Sequence, residues 1–188
     1  MITVTFPDGS AREYEDGASP LSIAESISKS LAKRSIVAKV DGKLWDMKRP
    51  LPGDAKLELL SKDDPDGLEL IRHDAAHVLA QAVQDLFPGT QVTIGPVIED
   101  GFFYDFARDE PFSTDDFEKI EAKMAEIVDQ DFPIEREVWD RDEAIAHFRE
   151  IGETYKSEII EDLPKDDVIT VYRQGPWYDL CVGPHLPS

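Results

Sequence analysis

The chain has 188 residues, with 40 Asp and Glu against 20 Lys and Arg, a formal net charge of −20 and a single cysteine. That length supports one large or two small domains with a real core, and 41% hydrophobic residues argue against wholesale disorder. No stretch approaches the roughly 20 apolar residues of a membrane span, a lone cysteine excludes an internal disulfide framework, and the charge disfavours non-specific attachment to nucleic-acid phosphates.

Charge falls unevenly along the chain. Residues 1–66 carry 12 acids and 10 bases, whereas residues 67–188 carry 28 acids and 10 bases. The step coincides with the polar run Ser61-Lys62-Asp63-Asp64-Pro65-Asp66-Gly67. Composition therefore predicts a domain over 1–62, a linker over 63–67 and a second domain over 68–188. In the first, residues 2–6 and 11–15 read as a hairpin around Pro7-Asp8-Gly9-Ser10. Ser19-Pro20 opens a helix in which Leu21, Ala24, Ile27 and Leu31 share a face. Residues 36–40 and 43–47 form a second hairpin about Asp41-Gly42, and residues 56–60 a last short strand. Hairpin, helix, hairpin and strand make a β-grasp pattern, and it contains no catalytic constellation.

Residues 68–87 carry the strongest helical pattern, closed by Pro88-Gly89. Within it His73 and His77 sit one above the other on one face, a geometry that holds a metal or a water. No Glu follows the first His, so the zinc-protease signature is missing. Residues 92–106 read as a strand, a turn at Glu99-Asp100-Gly101 and a return strand with Phe102, Tyr104 and Phe106 on one core-facing side. Tyr104 differs from its neighbours because a buried phenol needs a hydrogen-bond partner. Residues 115–130 form an amphipathic helix with Phe117, Ile120, Met124, Ile127 and Val128 inward. Residues 140–150 form another, capped by Asp140, with Ala144, Ile145 and Phe148 inward and His147 incidental to any chemistry.

Residues 168–173 are a strand, and Gln174-Gly175-Pro176 then leads into Asp179-Leu180-Cys181-Val182-Gly183-Pro184-His185. Three of the four histidines and the only cysteine thus fall in two short motifs. They point either to a His73/His77/Cys181/His185 tetrad binding zinc, or to a metal-free hydrolytic site that orients water.

A β-grasp module of the TGS type, then His73-x-x-x-His77, then Asp179-Leu180-Cys181-x-Gly183-Pro184-His185, resembles the N-terminal half of bacterial threonyl-tRNA synthetases. The resemblance implies an α+β chain: a small β-grasp domain followed by a larger two-layer α/β-sandwich editing domain, truncated at its C-terminus. It implies hydrolysis of serine wrongly esterified to threonine tRNA, with the acceptor end of that tRNA as partner. It also implies a cytoplasmic location, a homodimeric full-length enzyme and no ligase activity from this region alone. Serine and threonine differ by one methyl, worth only about 1–3 kcal/mol of binding, so a second pocket must exclude threonine.

On that reading His73 positions or deprotonates the water, since neutral imidazole is a competent base near pH 7. Lys156 contacts the substrate and stabilises charge, and Cys181 and His185 complete the catalytic set. His77, Gly95, Tyr104 and Asp179 line the substrate pocket. Without the resemblance, Lys156 in Tyr155-Lys156-Ser157-Glu158 reads as an exposed helix lysine. Cys181 as a covalent nucleophile ranks below water activation. No metal is expected in this region, and ATP, magnesium and zinc are assigned to a synthesis domain outside the chain. Two alternatives stand beside this reading: a zinc-dependent hydrolase of the alanyl-tRNA synthetase editing type, and a non-catalytic tRNA- or protein-docking module.

Overall fold

The computed structural model describes residues 1–188. Its contacts divide the chain into two compact units, Met1–Ile71 with Gly183–Pro187, and Arg72–Val182. The first unit begins with β1 (Ile2–Thr5) and β2 (Ala11–Tyr14), followed by α1 (Pro20–Ile27) and α2 (Lys29–Arg34). The strands β3 (Ser35–Val40), β4 (Lys43–Trp45) and β5 (Ala55–Ser61) complete a sheet of order β2-β1-β5-β3-β4. Strand β5 enters parallel to β1 and antiparallel to β3, which is the β-grasp arrangement. Val4, Ile23, Ala24, Ala38, Met47 and Leu57 are almost wholly buried in its core.

One expected helix is two. Ser28 is extended (φ −166, ψ 148); it closes α1 by donating its N–H to Ala24 O and opens α2 by accepting from Leu31 N–H. A Ser hydroxyl competes well for such end groups, so the break falls there. The buried face of α1 is consequently Pro20, Ile23 and Ala24, and Ile27 is 36% exposed.

Helix α3 (Pro65–Leu86) starts inside the polar run that separates the two charge regimes. Proline suits a first helical turn, and the Asp64 carboxylate accepts from the Ser61 N–H and hydroxyl. Asp66 pairs with Lys39 at 2.5 Å. Gly67 is required by close approach, because a Cβ there would lie 2.0 Å from the Ser61 carbonyl oxygen.

In the second unit the long hairpin expected over 92–106 is broken into four pieces. Strands β6 (Gln91–Val92) and β9 (Phe106–Ala107) pair, as do β7 (Val97–Ile98) and β8 (Gly101–Phe102), leaving residues 93–96 irregular. Pro96 has no N–H to give a ladder, which favours this interruption. The aromatic row divides as well: Phe106 joins the core of Ala82, Val83, Ile120 and Ile127, while Tyr104 stacks on it at 5.0 Å. Helix α4 (Thr114–Asp129) buries Ile120 and Ile127, but Phe117 and Val128 are 56% and 62% exposed, against expectation. The inward stripe is narrow. Val128 is rotated by about 100° from Ile127, and Phe117 lies in the opening turn.

Strand β10 (Ile134–Trp139), α5 (Arg141–Glu150), α6 (Thr154–Asp162), β11 (Ile169–Gln174) and β12 (Trp177–Leu180) follow. Asp140 caps α5 by accepting from the N–H groups of Asp142 and Glu143. The antiparallel sheet runs β10-β11-β12, with Glu137, Val171 and Leu180 in one row and Arg136, Tyr172 and Asp179 in the next. Alternation gives its faces different partners. One packs Ile169 and Val171 against Ala144, Phe148 and Ile160 of α5 and α6; the other turns Gln174, Trp177 and Asp179 toward α3. His147 is built into the first face, 2.6 Å from the Tyr178 hydroxyl and edge-on to Trp139. No helix is long and apolar enough to cross a membrane.

Candidate functional site

Helix spacing places His73, His77, Gln81 and Gln84 along one stripe of α3. Strands β11 and β12 and the residue after them answer each position. His73 Nε2 lies 3.2 Å from Cys181 Sγ, and His77 Nδ1 lies 3.9 Å from Asp179 Oδ2. Gln81 accepts from Gln174 Nε2 at 2.7 Å, and Gln84 accepts from Trp177 Nε1 at 2.7 Å. The two imidazoles meet edge to face with centroids 4.8 Å apart.

Lys156 overturns its residue-level reading as an exposed lysine, being only 3% exposed. Helix α6 turns its ammonium inward, where Nζ donates to the Thr93 carbonyl at 2.9 Å and pairs with Asp179 Oδ1 at 2.9 Å. Asp179 is 2% exposed, and its other oxygen accepts from the Tyr104 hydroxyl at 3.0 Å. Burial, reinforced by the Asp179 charge, pushes the Tyr104 phenol well above its usual range. It therefore stays neutral and donating. Two charges this far from water persist only where further hydrogen bonds satisfy them, and Thr93 and Tyr104 supply those bonds. Gly95 admits the Tyr104 ring: a Cβ at Gly95 would lie 2.2 Å from Tyr104 Cδ2.

These residues enclose a cavity of about 440 Å³, lined by His73, Gly95, Tyr104, Lys156, Asp179 and Cys181 among others. His77 also lines it while being 5% exposed. Of the eight residues expected from sequence, seven meet around this volume. The eighth, His185, belongs to the 183–187 segment of the first unit. It is 3% exposed there, and its N–H donates to Asp46 Oδ1 at 3.0 Å.

His73, His77 and Cys181 offer ligand atoms within 4.8 Å of one another. Imidazole and thiolate donors suit zinc and not the oxygen-seeking magnesium or calcium. Sequence reasoning missed Thr93, Gln84, Trp177 and Glu153. Thr93 acts through its backbone carbonyl, which carries no sequence signal. Glu153 is buried and accepts from Val92 N–H at 3.2 Å and from the Gln84 amide.

Residues 2–61 match the TGS domain family. Threonine–tRNA ligase of Maricaulis maris (strain MCS10) is 68% identical over 188 residues, covering all of this chain and 29% of that protein. The ligase of Hyphomonas neptunium (strain ATCC 15444) is 70% identical over 189 residues with the same coverage. The likeness to bacterial threonine–tRNA ligase runs the whole length of this chain. A more distant threonine–tRNA ligase, from Thiobacillus denitrificans (strain ATCC 25259 / T1), is 57% identical and also matches along the entire chain. The chain spans about 29% of the length of these threonine–tRNA ligases. The TGS match coincides with β1 to β5, and the cavity lies in the unit beyond it.

Proposed function

We propose that the second unit is the editing site of a threonine–tRNA ligase, hydrolysing the ester between serine and the terminal ribose of threonine tRNA. The acceptor end of that tRNA is the partner, and the compartment is the cytoplasm. The observation that carries this reading is the buried Lys156–Asp179–Tyr104 constellation facing a cavity with His73 at its wall. Ester hydrolysis needs an oriented water, donors for the developing oxyanion and a proton for the departing ribose hydroxyl. His73 orients the water and takes its proton. Lys156 has two of its three donors committed, leaving one for the oxyanion. Asp179 holds Lys156, Tyr104 and His77 in place and does not react. The Gly95–Tyr104 contact fixes the wall that separates serine from threonine. Attack adds the water oxygen to the carbonyl carbon, and collapse breaks the carbon–ribose oxygen bond while the proton His73 took from water passes to the departing ribose oxygen, releasing serine and a free hydroxyl.

The test is deacylation of seryl- and threonyl-tRNA by the wild-type chain and by His73→Ala. Preference for seryl-tRNA and a loss of about 10²–10⁴-fold in the variant are expected. Equal rates on both substrates, or none of that loss, would remove the reading. Retained hydrolysis in Cys181→Ser separates water attack from thiolate attack.

A second reading is favoured by the His73, His77 and Cys181 donor set, which fits zinc. A zinc ion held there would supply Lewis-acid polarisation of the ester, while Lys156 and Asp179 kept their places. Stoichiometric zinc in purified chain, with hydrolysis lost to a chelator and restored by zinc, would establish it in place of the metal-free site.

A further inference from the structure

A second cavity, of about 240 Å³, adjoins the first and is lined by Gln84, Val92, Glu153, Lys156, Trp177 and Asp179 among others. Lys156 and Asp179 line both cavities and so form a partition. Glu153 lines the smaller cavity and not the larger one. Its placement is nevertheless specific. The residue immediately precedes α6, and its carbonyl accepts from the N–H groups of Lys156 and Ser157. Its carboxylate reaches the other way, to the Val92 N–H of β6 at 3.2 Å and to the Gln84 amide of α3. Residue 153 thus links the turn that carries the Lys156 side chain to the strand that leads into Thr93, whose carbonyl receives Lys156 Nζ. A parallel tie runs from Thr154 N–H and hydroxyl to Gln91 Oε1.

The inventory of donors explains why a carboxylate stands there. Gln84 cannot present its oxygen to residue 153, because that oxygen accepts from Trp177 Nε1 and its NH₂ also serves the Thr90 carbonyl. Glu153 therefore faces two donors at different oxygens, Gln84 Nε2 at Oε1 and Val92 N–H at Oε2, and a glutamine in the same pose would turn its NH₂ toward one of them. The titratable groups around it are Lys156 on α6, Asp179 and the neutral phenol of Tyr178 on β12, and the neutral phenol of Tyr104 after β8. Burial raises the Glu153 carboxyl, so the position is held against its solvation preference.

We propose that Glu153 is a positioning residue of the Lys156 site: its carboxylate ties α6 to β6 and thereby holds the Lys156 ammonium between Thr93 and Asp179. This assignment rests on the editing reading for its effect on turnover, but not for its effect on Lys156. Glu153→Gln keeps the shape and loses one hydrogen bond whichever way its amide turns.

The experiment compares wild type, Glu153→Gln and Glu153→Asp by two measurements: the ¹⁵N signal and hydrogen-exchange rate of the Lys156 ammonium, and kcat and KM for seryl-tRNA. In Glu153→Gln the ammonium is expected to exchange at least about tenfold faster and kcat to fall by about tenfold, with KM within about twofold of wild type. Glu153→Asp, which keeps the charge on a shorter stem, should recover part of both. An unchanged Lys156 signal and kcat in Glu153→Gln overturns the proposal. If Glu153→Gln does not fold, Glu153→Asp is judged by the same two criteria against wild type. If wild type hydrolyses neither aminoacyl-tRNA, the editing reading fails, and the Lys156 signal alone still decides the role of Glu153.

Discussion

The two units fill their interiors differently: the second adds a buried polar network to its apolar clusters. Around Val4, Ile23, Ala24 and Ala38 the first unit buries aliphatic groups with essentially no exposure. At the heart of the second lie His77, Gln81, Glu153, Lys156, Gln174 and Asp179, every one below a tenth exposed. Apolar burial is non-directional and degrades gradually as atoms are removed. A buried polar network is all-or-none, because deleting one partner strands another in a low-dielectric interior. The contrast teaches that the β-grasp unit should tolerate loss of packing gradually, whereas the second unit's polar groups stand or fall together.

Substitutions can break that contrast. The largest effect is expected from Lys156→Met, which leaves Asp179 buried and unpaired. Stability should drop by about 3–5 kcal/mol in denaturant titration, and seryl-tRNA hydrolysis should fall by at least about a hundredfold. Ile23→Ala in the first unit should cost about 3 kcal/mol by the same titration yet leave kcat unchanged under folded conditions. A fall in kcat with it would end the contrast. Gly95→Ala forces the Tyr104 ring away from Asp179; a loss of about tenfold in the ratio of seryl- to threonyl-tRNA hydrolysis is expected, with a lowered melting temperature. Ser19→Ala removes the cap that accepts from Ser22 N–H, at a cost of about 1 kcal/mol and no change in hydrolysis.

The smallest effect concerns pH. Burial raises the Glu153 carboxyl above its ordinary 4.5, so the folded chain binds that proton more tightly than the unfolded one. The stability this contributes is full below pH 4.5 and is lost as pH climbs through the raised value. Subtracting the pH–stability curve of Glu153→Gln from that of wild type should leave this falling slope. A flat difference would show that Glu153 is ordinarily solvated.

Much of this was readable from residue order. The hairpins of the β-grasp sheet followed from alternation and turn residues, and the His73/His77 stripe from helical spacing. Cys181 stood out as the only cysteine. Lys156 was legible only through family resemblance, because its burial depends on Thr93 and Asp179, 63 and 23 positions away, and not on its neighbours in α6. The break at Ser28 was hidden by an unbroken helical pattern; one residue there serves two helix ends, its backbone N–H closing α1 and its hydroxyl opening α2. Phe117 and Val128 misled because an apolar residue beside a stripe need not face it. Nothing local marks Glu153, whose partners lie on β6 and α3.

The pairing of α3 with the last two strands works as a ruler. Positions 73, 77, 81 and 84 on the helix are indexed against Cys181, Asp179, Gln174 and Trp177. One residue inserted between His73 and Gln84 would turn everything on one side of it by about 100°, and one inserted in β12 would send Asp179 through to the opposite sheet face. Both segments are therefore fixed in length as well as in composition. Drift in chain length must be absorbed elsewhere, in connections such as residues 108–113 and 163–168, where no rung of that ruler is carried.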